Sequence, residues 1–153
     1  MMAEEANLGL RAEGRQYAEE FLGSWSLASC EQVLSTGEVL KPFGDAPLGS
    51  IQYLADGHMS AQVSVRNRPK LSGDDLLKTS DEEASDAFRS YLGYWGSYTV
   101  FAERHVVVHR LEGSSFPNWV GTEQIRHFRF DDSNRLILEA QLPAGHFKLT
   151  WRK

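Results

Sequence analysis

The sequence of 153 residues predicts an all-β fold, an eight-stranded, mostly antiparallel up-and-down β-barrel with an N-terminal helix and one internal helix. Three observations lead to this class. Short segments of alternating apolar and polar residues, separated by turn signals, fill most of the chain after residue 22. The pair Asp56-Gly57 stands between two such segments, as in a tight hairpin. One clear internal helix spans 81–92, where Ser80 and Glu83 form a capping box ahead of an apolar stripe.

The predicted elements follow one another in chain order. Apolar residues at helical spacing over 3–22 predict an amphipathic helix, which Gly14 weakens, so residues 1–21 are expected to form an N-terminal helix or a partly disordered segment. Residues 22–153 are expected to form one barrel domain. Its predicted strands are 24–33, 48–55, 58–65, 94–102, 104–111, 120–130, 135–142 and 146–152.

Composition and charge exclude several classes of function. Hydrophobic residues at 41% and charged residues at 24% are typical of a soluble globular protein. The net charge of −5 and the lack of a basic run argue against a nucleic-acid or anionic-membrane partner, and no stretch reaches the roughly 18 apolar residues of a membrane span. The N-terminus does not resemble a secretory signal, and the single Cys30 cannot form an internal disulfide. We therefore expect a cytoplasmic protein.

Alternation along each strand assigns one face to the barrel interior. For six strands the more apolar face is taken as the inner one, and its members are Trp25, Leu27, Ser29, Ile51, Tyr53, Met59, Ala61, Val63, Tyr94, Gly96, Tyr98, Val100, Leu136, Leu138, Ala140, Phe147, Leu149 and Trp151. In strand 104–111 Arg110 interrupts one face. The opposite face is therefore assigned to the interior, and its members are His105, Val107, His109 and Leu111.

Strand 120–130 carries polar side chains on its predicted inner face. That face reads Val120, Thr122, Gln124, Arg126 and Phe128, and it is apolar only at its ends. In one interpretation, the three central residues are structural groups that hydrogen-bond to one another and to the loop 112–119. In the other, they line a cavity and bind the oxygen atoms of a ligand. No Asp or Glu falls on the predicted inner faces, so Arg126 lacks an internal counter-ion, which favours the cavity.

Other inward residues are candidates for chemistry or ligand binding. His109 is a candidate proton shuttle, since imidazole titrates near neutral pH, and the alternative is a hydrogen-bonded core histidine. Met59 is either core or a flexible part of a ligand-binding wall. Trp119 lies in a turn that forms either a lid over the barrel mouth or a plug at its closed end. Three tyrosines either present phenol groups to the cavity or fill its wall: Tyr53, Tyr94 and Tyr98.

Metal and cofactor chemistry lack support in the sequence. His105 and His109 would lie roughly 13 Å apart on one strand, at about 3.3 Å per residue, and cannot share one metal. No other cluster of His, Cys and Asp has the spacing of metal ligands, and the motifs G-x-S-x-G, G-x-x-x-x-G-K and G-x-G-x-x-G do not occur. Nothing near Cys30 would activate its thiol. We therefore expect no metal and no cofactor, and neither covalent hydrolysis nor redox chemistry.

Five stretches of the sequence are similar to a known family. They are GSW (23–25), PLGSIQYLADGHMS (47–60), YLGYWGSYTV (91–100), VHRLEGSSFPNWVGTEQIRHF (108–128) and LTWRK (149–153), of which 108–128 is the most specific. In these stretches the chain resembles the lipocalin-like domain family, small barrels of the calycin type. The resemblance implies a barrel with a small-molecule cavity. It also implies that Trp25 of the first strand packs against Arg152 of the last strand, as a cation stacked on an indole.

Two functions of different class remain open, because members of this family differ in role and related small barrels catalyse cyclisations without a cofactor. The first is a cofactor-independent isomerase or cyclase acting on a hydrophobic, oxygenated, polyketide-like metabolite. Arg126 and Gln124 would stabilise negative charge on oxygen, and His109 with Tyr98 or Tyr53 would move a proton. The second is a carrier or sequestering protein for a small hydrophobic ligand. In both, the ligand contacts Tyr53, Met59, Tyr94, Trp119, Thr122 and Gln124. The oligomeric state, monomer or homodimer, is left open.

Overall fold

A computed structural model describes residues 18–132 and 134–153 of the chain. Within these residues, nine antiparallel strands form one sheet that closes on itself. Alternating sequences suit such a sheet because every second side chain can be buried inside the barrel. The strands are β1 (Gly23–Val33), β2 (Val39–Leu40), β3 (Leu48–Tyr53), β4 (His58–Ser64), β5 (Tyr91–Phe101), β6 (Val106–Ser114), β7 (Glu123–Asp132), β8 (Arg135–Leu142) and β9 (Gly145–Arg152).

The order of the strands is that of an up-and-down barrel. β1 pairs with β3, and each strand from β3 to β8 pairs with the next strand in sequence. Pairing of β1 with β9 closes these eight strands, while the two-residue β2 pairs with the end of β1. The predicted all-β class and the eight-stranded antiparallel barrel are therefore confirmed, and β2 is an addition to them.

A short helix, α1 (Ala18–Phe21), closes one end of the barrel. Phe21 is fully buried, and its ring centroid lies 5.1 Å from that of Tyr53 and 4.9 Å from that of Phe128, both in edge-on contacts. We call this the closed end. The remainder of the helix predicted over 3–22, residues 3–17, lies outside the described residues.

A second helix, α2 (Asp81–Arg89), precedes β5 at the opposite end of the barrel, which we call the open end. It begins at the predicted cap, where the Ser80 hydroxyl accepts a hydrogen bond from the Glu83 backbone N–H at 3.2 Å. The prediction placed the end of this helix at residue 92. It ends at Arg89 instead, because Tyr91 begins β5 and pairs with Ser64.

Ser29 and His105 were predicted to face the interior but do not. A β-bulge between Leu27 and Ser29 adds a residue to β1, so Cys30 is buried and Ser29 is only partly buried. His105 follows a 3-10 turn, has φ of 51°, and is exposed beside the barrel. β6 therefore begins at Val106, two residues later than predicted, and its inner face carries His109 between two buried apolar residues, Val107 and Leu111.

The strand predicted over 120–130 begins later than expected. A 3-10 turn spans Pro117–Trp119, and Gly121 then takes φ of 78°, a left-handed conformation that glycine adopts without strain. Val120 is consequently 49% exposed rather than inward. β7 begins at Glu123, so Thr122 lies just before the strand, while Gln124, Arg126 and Phe128 occupy its inner face and are buried.

The expected contact between Trp25 and Arg152 is wrong by one residue. The inward side chain at the end of β9 is Trp151, so Arg152 points outward and is exposed. The chain then turns over the closed end, and the Lys153 Nζ lies 4.6 Å from the centroid of the Trp25 ring. The same ammonium donates a hydrogen bond to the Leu22 carbonyl at 2.7 Å.

Candidate functional site

A cavity of about 300 Å³ lies at the open end of the barrel, beneath α2. It is bounded by the last residues of β4 and β8 and the first residues of β5 and β9, and by the turn that contains Trp119. Its walls are mostly aromatic and aliphatic, as in most small-molecule sites. The aromatic members of the lining are Phe43, Phe88, Tyr91, Tyr94, Phe116, Trp119 and Phe147.

Arg126 is the inner charged group of this cavity. Its side chain belongs to the inner face of β7, and the residue is only 8% exposed. The guanidinium donates hydrogen bonds from Nη2 to the Gln124 Oε1 at 3.4 Å and from Nη1 to the Ile125 carbonyl at 3.2 Å, and it interacts with the Tyr94 hydroxyl. Among residues 18–132 and 134–153, no carboxylate forms an ion pair with it.

A chain of neutral hydrogen bonds leads from Arg126 to the rim of the cavity. The Gln124 Nε2 donates to the Thr122 hydroxyl at 2.8 Å, and that hydroxyl donates to the Trp119 carbonyl at 2.7 Å. Thr122 and Gln124 are thus satisfied by each other and by the turn, as the structural interpretation required. Arg126, at which this chain of hydrogen bonds begins, lines the cavity. Of the three central polar residues of this inner face, only Arg126 lines the cavity, and its binding of a ligand stays a prediction.

His109 and Tyr53 form a fully buried pair below the cavity. The Tyr53 hydroxyl oxygen lies 2.7 Å from the His109 Nε2, and the His109 Nδ1 has no hydrogen-bond partner. Burial, with the nearby positive charge of Arg126, lowers the pKa of His109 to about 3. Burial likewise raises the pKa of Tyr53 well above its ordinary value. Both groups are consequently neutral near pH 7.

The remaining candidates divide between the cavity wall and the core. Tyr94 and Trp119 line the cavity, with ring centroids 5.9 Å apart. Tyr98 instead donates from its hydroxyl to the Leu54 carbonyl at 2.9 Å, toward the closed end, and Met59 is packed in the core at 3% exposure. The structure therefore brings Tyr94, Trp119 and Arg126 together and places Met59 and Tyr98 away from them.

Several lining residues were not singled out from the sequence. Cys30 reaches the cavity because of the bulge in β1, and burial, followed by the neighbouring Glu31, raises the pKa of its thiol to about 12. Phe88 belonged to the predicted apolar stripe of α2, yet it is 50% exposed at the cavity mouth. Arg89, the last residue of the same helix, adds a second guanidinium at the mouth. Phe88 and Arg89 could not be assigned to the cavity from the sequence, because the sequence does not show that α2 lies over the barrel mouth.

The described part of the chain contains no group of three or more His, Cys, Asp and Glu side chains that could hold a metal ion. A search of its helices likewise found none with the length and apolar character needed to cross a membrane.

A family model described as a lipocalin-like domain matches residues 22–153. The chain belongs to the lipocalin-like domain family. A curated relative of this lipocalin-like chain is the 4'-hydroxy-3'-methoxypropiophenone carrier protein ppsC of Aspergillus oryzae, 38% identical over 106 residues that cover 62% of this chain and 96% of that protein. Similar solved structures include a redesigned β-barrel (10% identity, TM-score 0.46, covering 90% of this chain and 95% of that one) and a mutant of the fluorescent protein UnaG (13%, 0.42, 88% and 96%).

Proposed function

We propose that this lipocalin-like barrel is a carrier for a small, hydrophobic aromatic compound that bears oxygen. The observation that carries the proposal is the cavity of about 300 Å³, whose aromatic and aliphatic walls end at the guanidinium of Arg126. Apolar walls bind the body of a ligand by excluding water, and a few placed polar groups fix its orientation. Arg126 has donors to spare for a ligand oxygen, because its described partners are a carbonyl, an amide oxygen and a phenol.

The arrangement favours a carrier over the isomerase or cyclase that the sequence also allowed. A general base must come within hydrogen-bond reach of the proton that it removes. His109 contacts Tyr53 below the cavity, and a pKa of about 3 makes it a weak base at neutral pH. Tyr98, the other predicted member of a proton-transfer pair, uses its hydroxyl on the Leu54 carbonyl.

The relative from Aspergillus oryzae supports a ligand class. That protein is named as a carrier for 4'-hydroxy-3'-methoxypropiophenone, an aryl ketone with a phenolic hydroxyl. We extend this class, phenolic aryl ketones, to the present chain, because an aromatic ring matches the wall formed by Tyr94 and Trp119 and an oxygen substituent matches Arg126. We also place the carrier in the cytoplasm, since its one cysteine is buried and forms no disulfide.

The test is a binding and recovery experiment with 4'-hydroxy-3'-methoxypropiophenone. Isothermal titration calorimetry is expected to give saturable one-to-one binding. After prolonged incubation, liquid chromatography with mass spectrometry is expected to recover the compound unchanged. Conversion of the compound to an isomer, at a rate proportional to the protein concentration, would show that the protein is an enzyme and not a carrier. Absence of saturable binding would refute a carrier for this ligand class.

Two variants on opposite faces of one strand provide a matched comparison. Arg126→Met removes the inward guanidinium and is expected to weaken binding at least roughly tenfold, since a hydrogen bond to a charged group contributes about 1.5–3 kcal/mol. Arg129→Met removes an outward guanidinium that pairs with Asp131 in solvent, and its Kd should equal that of the wild type. Equal losses in both variants would contradict a specific role for Arg126.

A further inference from the structure

The charge of Arg126 is not neutralised within the described structure, and this bears on the form in which a ligand binds. An arginine that is 8% exposed has lost most of its hydration. Its described partners, Gln124, Tyr94 and the Ile125 carbonyl, supply dipoles but no negative charge. A buried cation without a counter-ion favours any ligand that brings a negative charge to it.

The buried tyrosine and cysteine of the cavity wall do not supply that negative charge near pH 7. Burial raises the pKa of Tyr94, and it raises the pKa of Cys30 to about 12, so both groups are protonated. Arg89 adds a second positive charge at the mouth. None of the described lining residues is a carboxylic acid, although the whole chain carries a net charge of −5. Positive charge is thus concentrated at the cavity of an acidic protein.

We propose that the cavity binds phenols as their phenolate anions, with the phenolate oxygen against the guanidinium of Arg126 and the hydroxyl of Tyr94. This inference rests on the proposed carrier function and names the ionic state of its ligand. The phenolic O–H bond breaks heterolytically, the electron pair stays on oxygen, and the proton leaves to the solvent. It cannot stay on the histidine below the cavity, because the pKa of His109 is about 3 and its Nε2 already contacts Tyr53.

Two opposing effects decide the ionic state of a bound phenol. Burial disfavours the anion by up to about 3–5 pKa units in a fully closed site, whereas an opposite charge within about 4–6 Å lowers the pKa of an acid by about 1 to 3. The cavity has an open mouth, and its guanidinium is desolvated already in the free protein, so the phenolate adds a charge-assisted hydrogen bond to a cation whose other partners are neutral. We infer that this attraction exceeds the cost of burying the anion.

Absorption spectroscopy tests the inference directly, because a phenolate of a hydroxyaryl ketone absorbs at longer wavelength than the neutral phenol. The probe is 4'-hydroxy-3'-methoxypropiophenone, mixed with the wild-type protein at a pH at which the free compound is neutral. The bound compound is expected to show the phenolate band. Calorimetry in buffers of different ionisation enthalpy should show release of close to one proton per ligand bound at the same pH.

A matched probe and two variants complete the test. 3',4'-Dimethoxypropiophenone differs by one added methyl group on the phenolic oxygen, has no ionisable proton, and should bind at least roughly tenfold more weakly. Arg126→Met should abolish the phenolate band of the bound probe, while Arg126→Lys, which keeps a cation, should restore part of it. A neutral-phenol spectrum in the wild-type complex, with equal affinity for both probes, would overturn the inference and leave the carrier intact. Failure of the wild type to bind either probe would overturn both proposals.

Discussion

The guanidinium of Arg126 and the side-chain amide of Gln124 lie two residues apart on the inner face of β7, with Nη2 3.4 Å from Oε1. An amide oxygen accepts a hydrogen bond but carries no net charge, so this contact orients the arginine without neutralising it. Gln124 is held in turn by Thr122, and Thr122 by the carbonyl of Trp119. A row of neutral groups thus fixes a buried cation and connects it to the rim of the cavity.

The first prediction is that Arg126→Met separates stability from ligand binding. Replacing a desolvated, unneutralised charge by an apolar side chain is expected to leave the free energy of unfolding unchanged or to raise it by about 1 kcal/mol. The affinity for the aryl ketone falls in the same variant. Urea denaturation monitored by fluorescence measures the first quantity. A loss above about 2 kcal/mol would show instead that Arg126 is mainly structural.

The second prediction concerns the hydrogen bonds between the turn and Arg126. Thr122→Val keeps the side-chain volume nearly constant but removes the hydroxyl. This hydroxyl accepts a hydrogen bond from the Gln124 side-chain amide and donates one to the Trp119 carbonyl. A partly buried amide donor then lacks a partner, which is expected to lower the free energy of unfolding by about 1–3 kcal/mol. Ligand affinity should fall by roughly fivefold, because Gln124 no longer holds the guanidinium in place.

A surface threonine supplies the control for this variant. Thr36 is exposed in the turn after β1, where its hydroxyl makes one long contact, 3.4 Å, with the Glu38 backbone N–H. Thr36→Val should change neither the free energy of unfolding by more than about 0.5 kcal/mol nor the Kd. If Thr122→Val behaves like this control in both measurements, the hydrogen-bonded row does not position Arg126.

The third prediction is a pH dependence of stability that comes from His109. Its pKa is about 3 in the folded protein and near 6.5 in the unfolded chain, so between these values the unfolded state binds more protons. The free energy of unfolding therefore falls as the pH drops from about 6.5 toward 3, with a limiting slope for one group of about 1.4 kcal/mol per pH unit. His109→Gln keeps a polar partner for Tyr53 but does not titrate.

Urea denaturation at several pH values from 7 to 4.5 measures this contribution. The curve of His109→Gln should decline less steeply than that of the wild type, because the carboxylates common to both proteins contribute equally. Parallel curves would mean that His109 titrates normally in the folded protein. The same variant tests the sequence-based role in proton transfer, since a carrier should bind its ligand with nearly unchanged Kd when His109 is replaced.

Much of the fold could be predicted from the sequence because its signals are local. Alternation at the core of each strand, the Asp56-Gly57 hairpin and the cap at Ser80 act within a few residues. The same signals fail where an extra residue in a strand shifts the alternation of inward and outward side chains. Because of the bulge after Leu27, Cys30 rather than Ser29 faces the cavity, and no local pattern marks that extra residue.

The candidate site was harder to predict, because alternation identifies the inner face of a strand but not the depth along the barrel. Arg126, His109 and Tyr98 all lie on inner faces of neighbouring strands. Only the first reaches the cavity at the open end, whereas Tyr98 hydrogen-bonds toward the closed end. Depth depends on the register between strands and on what covers each end, and both are set by contacts distant in sequence.

The fourth prediction concerns the cation at the closed end. The Lys153 ammonium lies over the Trp25 ring and donates to the Leu22 carbonyl, so Lys153→Ala is expected to lower the free energy of unfolding by roughly 1–2 kcal/mol. Arg152→Ala, one residue earlier and exposed on the outer face, should change it by less than about 0.5 kcal/mol. Urea denaturation of the two variants shows which of the two cations stabilises the barrel through Trp25. A larger loss of stability in Arg152→Ala than in Lys153→Ala would support the contact between Trp25 and Arg152 that the family resemblance implied.

The fifth prediction concerns the close approach of β5 to β6 at Gly96. A Cβ atom at this position would lie 1.9 Å from the Arg110 carbonyl oxygen, at a register shift between the two strands. Backbone atoms of a paired strand cannot turn aside as a side chain can, so Gly96→Ala should lower the free energy of unfolding by more than about 3 kcal/mol or prevent folding. Gly73→Ala is the control, because a Cβ there meets nothing within 4 Å.

Thermal unfolding followed by circular dichroism measures both variants. Gly73→Ala is expected to match the wild type or to gain about 0.4–1 kcal/mol, since alanine restricts the unfolded chain. A Gly96→Ala protein as stable as the wild type would mean that β5 and β6 can separate locally. That outcome would also weaken the account of the site, because the same strand pair places Tyr94 beside the cavity and holds His109 below it.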